Sequence, residues 1–365
     1  MDFSYSEEQT LLQDTTRRFV SREYGFEARR AIVAGERGMN PAVWTTLAEL
    51  GLLALLVPEA EGGLGAGPVE THIVMAALGE GLVVEPVLSS AVRATAAIAR
   101  LGDATQRAQW LAPMAAGELI AVLAEDEAGV HAARAGDGYV LTGEVACVAD
   151  APHAGLLLVA AAVEGEGRAL FALPADAPGL SMQAYPTFDG RRAADLRLAG
   201  VHVSATRRLG TGDVGGVLDA VADLGLAALC AEAIGVLDRA LAITTEYART
   251  RQQFGVAIGT FQALQHRMAD MFMHLEQARS MAILATVRAL DEEASARRRA
   301  LSAAKVVIGE ACRFVGQQAV QIHGGMGVTD ELDISHYFKR LFAIEKQFGS
   351  TREHLGRYVA LRAAA

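Results

Sequence analysis

Two short stretches of the chain gather donors and flat rings at turns. In "EYARTRQQFGVAIGTFQALQHRMADM" (residues 246–271) a helical pattern ends at Arg251, Gln252, Gln253 and Phe254, turns at Gly255 and restarts after Gly259 and Thr260. Arginine offers a forked donor to phosphate, the amides add hydrogen bonds, and phenylalanine gives a face for stacking. That set suits a diphosphate next to a flat ring. The second stretch is "QIHGGMG" (321–327). Adjacent glycines let a ligand approach the backbone, and free N–H groups in such a turn form an anion-binding concavity. His323 is read as bracing this turn by a hydrogen bond, not as a proton carrier.

The elements that would position these turns change type along the chain. "SEEQ" at Ser6–Gln9 reads as a capping box opening a helix with Leu11, Leu12, Phe19 and Val20 at helical spacing. Asn40 and Pro41 open another helix, which ends near Gly51. From residue 119, short runs such as "GYVLTGEVACVA", "GLLLVAAAV" and "ADLRLAGVHVS" are separated by Asp-Gly and Gly-Glu-Gly punctuation. They predict an antiparallel β-barrel or sandwich of about 90 residues, ending near Leu209. From Asp213 the pattern is helical again. Phe261, Leu264, Met268, Phe272 and Leu275 share one face at i, i+3/i+4 spacing, and Met268, Met271 and Met273 read as core filler. Residues 300–322 carry a second apolar stripe, so the helices are expected to form a bundle. The expected class is an α+β multidomain chain: an N-terminal α-helical domain at 1–118, a middle β-domain at 119–209 and a C-terminal helical bundle at 210–365.

Composition excludes several functions. The chain has 365 residues, 52 % hydrophobic and 21 % charged, which fits globular domains and not disorder. Its formal charge of −10 and lack of a basic face argue against nucleic-acid binding. The apolar run 224–243 carries Glu232, Asp238 and Arg239, so it reads as a buried helix and not a membrane span. Cys147, Cys230 and Cys312 show no ligand or disulfide spacing, are expected to be buried free thiols, and indicate a reducing compartment. With an acidic start, "MDFSYSEEQ", the expected location is cytoplasmic.

In this order the motifs resemble the acyl-CoA dehydrogenase family along essentially the whole chain. The matching stretches are "YARTRQQFG", "IGTFQALQHRMADM" and "QIHGGMGVTDE". "ALCAEAIG", "FVGQQAVQIHGGMG" and "HYFKRL" resemble the small-subunit branch of the pimeloyl-CoA dehydrogenase type. The resemblance implies helical, β and four-helix-bundle domains, and dimers paired into tetramers. It implies FAD, with the ADP half of each FAD held by the neighbouring subunit. The residues it assigns to that ADP arm are Arg251, Gln253 and Phe254, with Gln321, Gly324 and Gly325. It further implies an acyl-CoA thioester substrate and electron-transfer flavoprotein as acceptor, with no nucleic acid and no membrane insertion.

The family's reaction removes a very weakly acidic proton next to a thioester, so it needs a positioned base. In "FAIEKQFGST" (342–351) the position of the usual glutamate is Phe348. A minority of the family carries the base on an earlier helix, and there the matching residue is Gly225. Glu345, Asp223 and Glu232 are the remaining weak candidates. The family's Thr-Glu-Pro contact to the flavin is "LAEDEAG" in this chain, with Ala124 for threonine and Asp126 for proline. Its Trp-Ile-Thr stretch is "ACVAD", with Ala146 and Val148 for tryptophan and threonine. Three readings follow. The chain completes the site of a homologous large subunit in a heterodimer or heterotetramer, it is self-sufficient with a displaced base, or it is a redox-inactive acyl-CoA-binding or assembly module.

Overall fold

The computed structural model describes residues 4–125 and 129–363. Helices α1 (Glu7–Glu23), α2 (Phe26–Ala34), α3 (Pro41–Glu49) and α4 (Pro68–Glu80) lead to a π-type helix, Val87–Ala94, then α5 (Thr95–Leu101) and α6 (Ala104–Ala115). Eight strands follow: β1 (Ala121–Ala124), β2 (Val130–Ala135), β3 (Gly138–Ala149), β4 (Leu156–Val163), β5 (Gly167–Pro174), β6 (Leu180–Pro186), β7 (Arg192–Ser204) and β8 (Arg208–Leu209). The rest comprises α7 (Gly215–Thr250), the strands β9 (Gln252–Gln253) and β10 (Val256–Ala257), α8 (Gln262–Arg288), α9 (Ala294–His323), α10 (Asp333–Lys346) and α11 (Thr351–Ala363). The expected caps are present. Ser6 and Gln9 form a reciprocal capping box, Asn40 accepts from Ala42 N with Pro41 in the first turn, and Gly51 has φ 75°.

The chain divides into two compact units. One contains Arg30–Gly67 and Val84–Gly225 and carries the eight-stranded sheet. The strand order is β6-β7-β3-β2-β4-β5-β8, with β1 beside β4. Most pairs are antiparallel as expected, but β1 and β2 both run parallel to β4. Neither strand reaches β4 through a hairpin, and parallel pairing needs such a longer connection. Leu141, Leu157, Phe171 and Leu196 fill the core from β3, β4, β5 and β7, each at most 1 % exposed. Shortening one of these leucines to alanine would cost about 2–5 kcal/mol. Strand β3 carries two register shifts, and Cys147 sits in the second with φ 53°. Its thiol is exposed, contrary to the expectation; Cys230 and Cys312 are buried, and all three are free. A bulge turns one residue out of the alternation, which sequence period alone does not show.

The other unit contains Met1–Arg29, Pro68–Val83 and Leu226–Ala365. Helices α4 and α7 approach backbone to backbone in it. A Cβ on Gly235 would lie 2.9 Å from Glu80 N, and one on Gly79 3.2 Å from the Glu232 carbonyl carbon. Helix α7 contains an 18-residue window of mean hydropathy 1.9, but 89 % of that window is buried in the protein, as expected of a core helix. The apolar face of α8 differs from the expected one. Met271, Leu275, Ala278, Ala282 and Ala285 are buried, whereas Phe261, Phe272 and Met273 are exposed. Of the expected stripe, Leu275 is buried and Leu264 and Met268 are half-buried, but Phe261 and Phe272 lie outside, and small alanines pack inward.

Candidate nucleotide-arm groove

The first predicted turn is a tight hairpin. Helix α7 runs to Thr250, and Arg251 N continues its bonding pattern to Tyr247 O at 2.8 Å. Gln252 and Gln253 of β9 pair with Ala257 and Val256 of β10. The two linking residues, Phe254 (φ 53°) and Gly255 (φ 81°), are both left-handed, as a two-residue turn of the primed type requires. This geometry pushes the Phe254 ring out to 93 % exposure, edge-on to Phe261 with centroids 6.1 Å apart. Phe261 then occupies the N-cap of the 27-residue α8 and supplies no side-chain acceptor. The amides of that first turn and the positive end of the helix dipole therefore favour an anion there.

The second predicted turn closes the same groove. Helix α9 ends at His323, and Gly324 (φ 63°) returns its N–H to Gln321 O. Gly324 and Gly325 have open space where a Cβ would stand, so a ligand can reach their backbone. The His323 ring stacks on Tyr247, with centroids 4.2 Å apart at 26°. Its Nδ1 lies 2.8 Å from the Ala319 carbonyl, so Nδ1 carries the proton and donates. Burial pushes the His323 pKa below its ordinary value, although the bond to Ala319 opposes the shift. A buried, neutral histidine braces the helix end, which agrees with the sequence reading. All six predicted arm residues line one groove of about 690 Å³. Sequence reasoning missed Tyr247 and Arg267, which line it too; Arg267 Nη1 donates to Gln318 Oε1 at 2.8 Å. Arg267 lies in the second turn of α8, where helical spacing could have pointed to it.

The expected carboxylates are placed differently. Phe348, which the resemblance aligns with the usual base, has φ 58° in a turn pinned from two sides. Lys305 Nζ donates to Glu345 O at 3.0 Å and Gly349 O at 2.7 Å, and His354 Nε2 donates to Phe348 O at 2.9 Å. Burial raises the Glu345 carboxyl, but bonds from Lys346 and Thr351 outweigh it and hold the group below the ordinary carboxylate range. Glu232 is buried in a two-pronged ion pair with Arg340, at 2.7 and 2.9 Å. Asp223 is buried on α7. Gly225 lies under the side chain of Arg93.

In the sheet-bearing unit, three positions that the resemblance gives to flavin contacts carry small apolar side chains. Ala124 and Val148 are packed into the sheet core, and Ala146 is exposed at the β3 bulge. Asp126 lies outside the described residues.

Residues 6–118 match the family of acyl-CoA dehydrogenase N-terminal domains, and residues 220–356 match that of acyl-CoA dehydrogenase C-terminal domains. The chain belongs to the acyl-CoA dehydrogenase family. It is 32 % identical to acyl-CoA dehydrogenase FadE27 of Mycobacterium tuberculosis, over 98 % of this chain and 97 % of that one. Among solved structures, the ChsE4–ChsE5 complex of Mycobacterium tuberculosis matches with TM-score 0.92 and 31 % identity, covering both chains fully. The Tcur3481–Tcur3483 steroid ACAD matches with TM-score 0.90 and 32 % identity over 98 % of each chain. Members of the family are oxidoreductases acting on CH–CH bonds, and they bind FAD. The groove at Arg251 fits the ADP half of that cofactor: a cation, helix amides and bare glycine backbone for the phosphates, and Phe254 as a flat apolar surface.

Proposed function

We propose that this chain is the subunit of a heteromeric acyl-CoA dehydrogenase that holds the ADP arm of the FAD bound mainly by a homologous large subunit. The observation that carries the reading is the contrast between its two sets of site residues. The six arm residues converge on one groove. The base position holds Phe348, the alternative position holds Gly225, and Ala124, Ala146 and Val148 offer no hydrogen bond to a flavin edge. An unpaired polar edge is costly to bury, so a ring would be poorly held there. The two solved relatives named above are two-protein complexes, which favours a heteromer.

Bound FAD supplies hydride acceptance from the acyl thioester. This chain's residues supply binding. Arg251 neutralises the diphosphate, Gln253 and Gln321 add donors, the Gly324–Gly325 backbone admits close approach, and Phe254 covers a flat face. Electrons then leave through an electron-transfer flavoprotein, and the assembly works in the cytoplasm as a heterotetramer. Expression of the chain alone and with a complete family relative tests the reading. Alone it should purify without flavin, and with the partner it should carry flavin. A yellow, active homomer would return Glu345, Asp223 and Glu232 to the candidate bases.

A further inference from the structure

Within the sheet-bearing unit, one ion pair lies beside two of the positions discussed above. Arg93 sits near the end of the helix Val87–Ala94, with a side chain 14 % exposed. Its guanidinium pairs with Glu125, the residue that follows β1 and Ala124. Burial lowers the Arg93 pKa, and Glu125 opposes that shift. The same side chain crosses Gly225. A Cβ built on Gly225 would lie 2.9 Å from Arg93 Cδ, 3.0 Å from Cγ and 3.2 Å from Nε. The absence of a side chain in the middle of α7 makes room for the arginine.

We propose that Arg93 closes this chain's own substrate cavity, the Arg93–Glu125 pair taking the space that an acyl-CoA thioester would enter. The inference rests on the functional reading above, because Gly225 and Ala124 are where the resemblance places a base and a flavin contact. A reacting carbon must lie between those two groups, and the ion pair stands next to both positions. An apolar acyl chain offers no counter-charge, so displacing Glu125 from the largely buried guanidinium is costly. A carboxylate at 225 would press on the Arg93 side chain, so restoring a base there requires the arginine to move. The chain thus excludes substrate from its own half and leaves it to the partner's site.

Two measurements on the full chain test this. In a calorimetric titration with octanoyl-CoA, the wild-type chain should show no saturable binding. The double variant Arg93→Leu/Glu125→Gln, which removes both charges together, should bind at least about tenfold more tightly. Saturable binding by the wild type, or a folded double variant that binds no better, overturns the proposal. The second measurement is the thermal midpoint of Gly225→Ala in both backgrounds. The drop should be clear with Arg93 present and smaller in the double variant. Equal drops in the two backgrounds overturn the packing argument. Neither readout involves flavin, so failure of the arm-holding role would show separately in the flavin content of the complex.

Discussion

On the proposed reading, Arg251 meets the diphosphate of the cofactor. It is exposed at a hairpin base, and it lines the groove with the glycine backbone of the second turn. A charge-assisted contact to phosphate is worth about 1.5–3 kcal/mol, so Arg251→Ala should weaken FAD retention by the complex roughly ten- to a hundredfold. Equilibrium dialysis of the purified complex measures this, and the circular dichroism spectrum should not change. Phe348→Glu makes the opposite point. A carboxylate at this position should yield no turnover in the isolated chain, because Ala124, Ala146 and Val148 offer no polar grip on a flavin ring. An acyl-CoA assay with an artificial electron acceptor decides, and turnover by the single variant would show a functional ring pocket. The two turns that meet at the groove were legible in the sequence because a tight turn dictates local residue choice. Arg93 was not legible, because its partner Glu125 and its neighbour Gly225 are brought to it only by tertiary packing.

At the scale of elements, the helical unit is held by buried polar groups that periodicity does not reveal. Arg340 and Glu232, both nearly inaccessible, join α10 to α7. Removing one partner of a buried pair leaves an uncompensated charge, so Arg340→Leu should destabilise the chain by about 3–5 kcal/mol, read by denaturant unfolding. Replacing both partners with apolar residues should cost much less. Buried histidines link stability to pH. Desolvation pulls His72 and His354 down to about 4, so both are neutral in the native state at pH values where the unfolded chain would protonate them. Their contribution is complete above about pH 6.5 and declines as pH falls toward about 4, by roughly 3 kcal/mol for each group at most. Unfolding free energies measured between pH 7 and 5 should therefore fall with pH, and a flat profile would contradict the assignment. The boundaries of β3 were legible at both ends, because Asp137-Gly138 punctuates a strongly apolar run. Strand β2 was missed, since its one buried residue after Val130 is Ala132, which gives little contrast. On α8 Leu275 and Met271 are buried as expected, but Phe272 and Met273 face outward, so period alone placed only part of the core face.

For the whole molecule, the helix–strand–helix order was legible from composition changes near residues 119 and 213. The parallel pairing of β1 and β2 with β4 was not, because strand order is set by long-range packing. The division of labour between subunits is a matter of assembly, and flavin stoichiometry tests it most directly. On the proposed reading this chain offers an ADP arm but no polar ring contact, whereas a complete partner would offer both. A heterodimer then contains one competent site, built from the partner's ring pocket and this chain's Arg251, Gln253 and Gln321. Quantifying FAD against protein in the purified complex should give one flavin per heterodimer, two per α2β2 tetramer. A ratio of one flavin per chain would contradict the account.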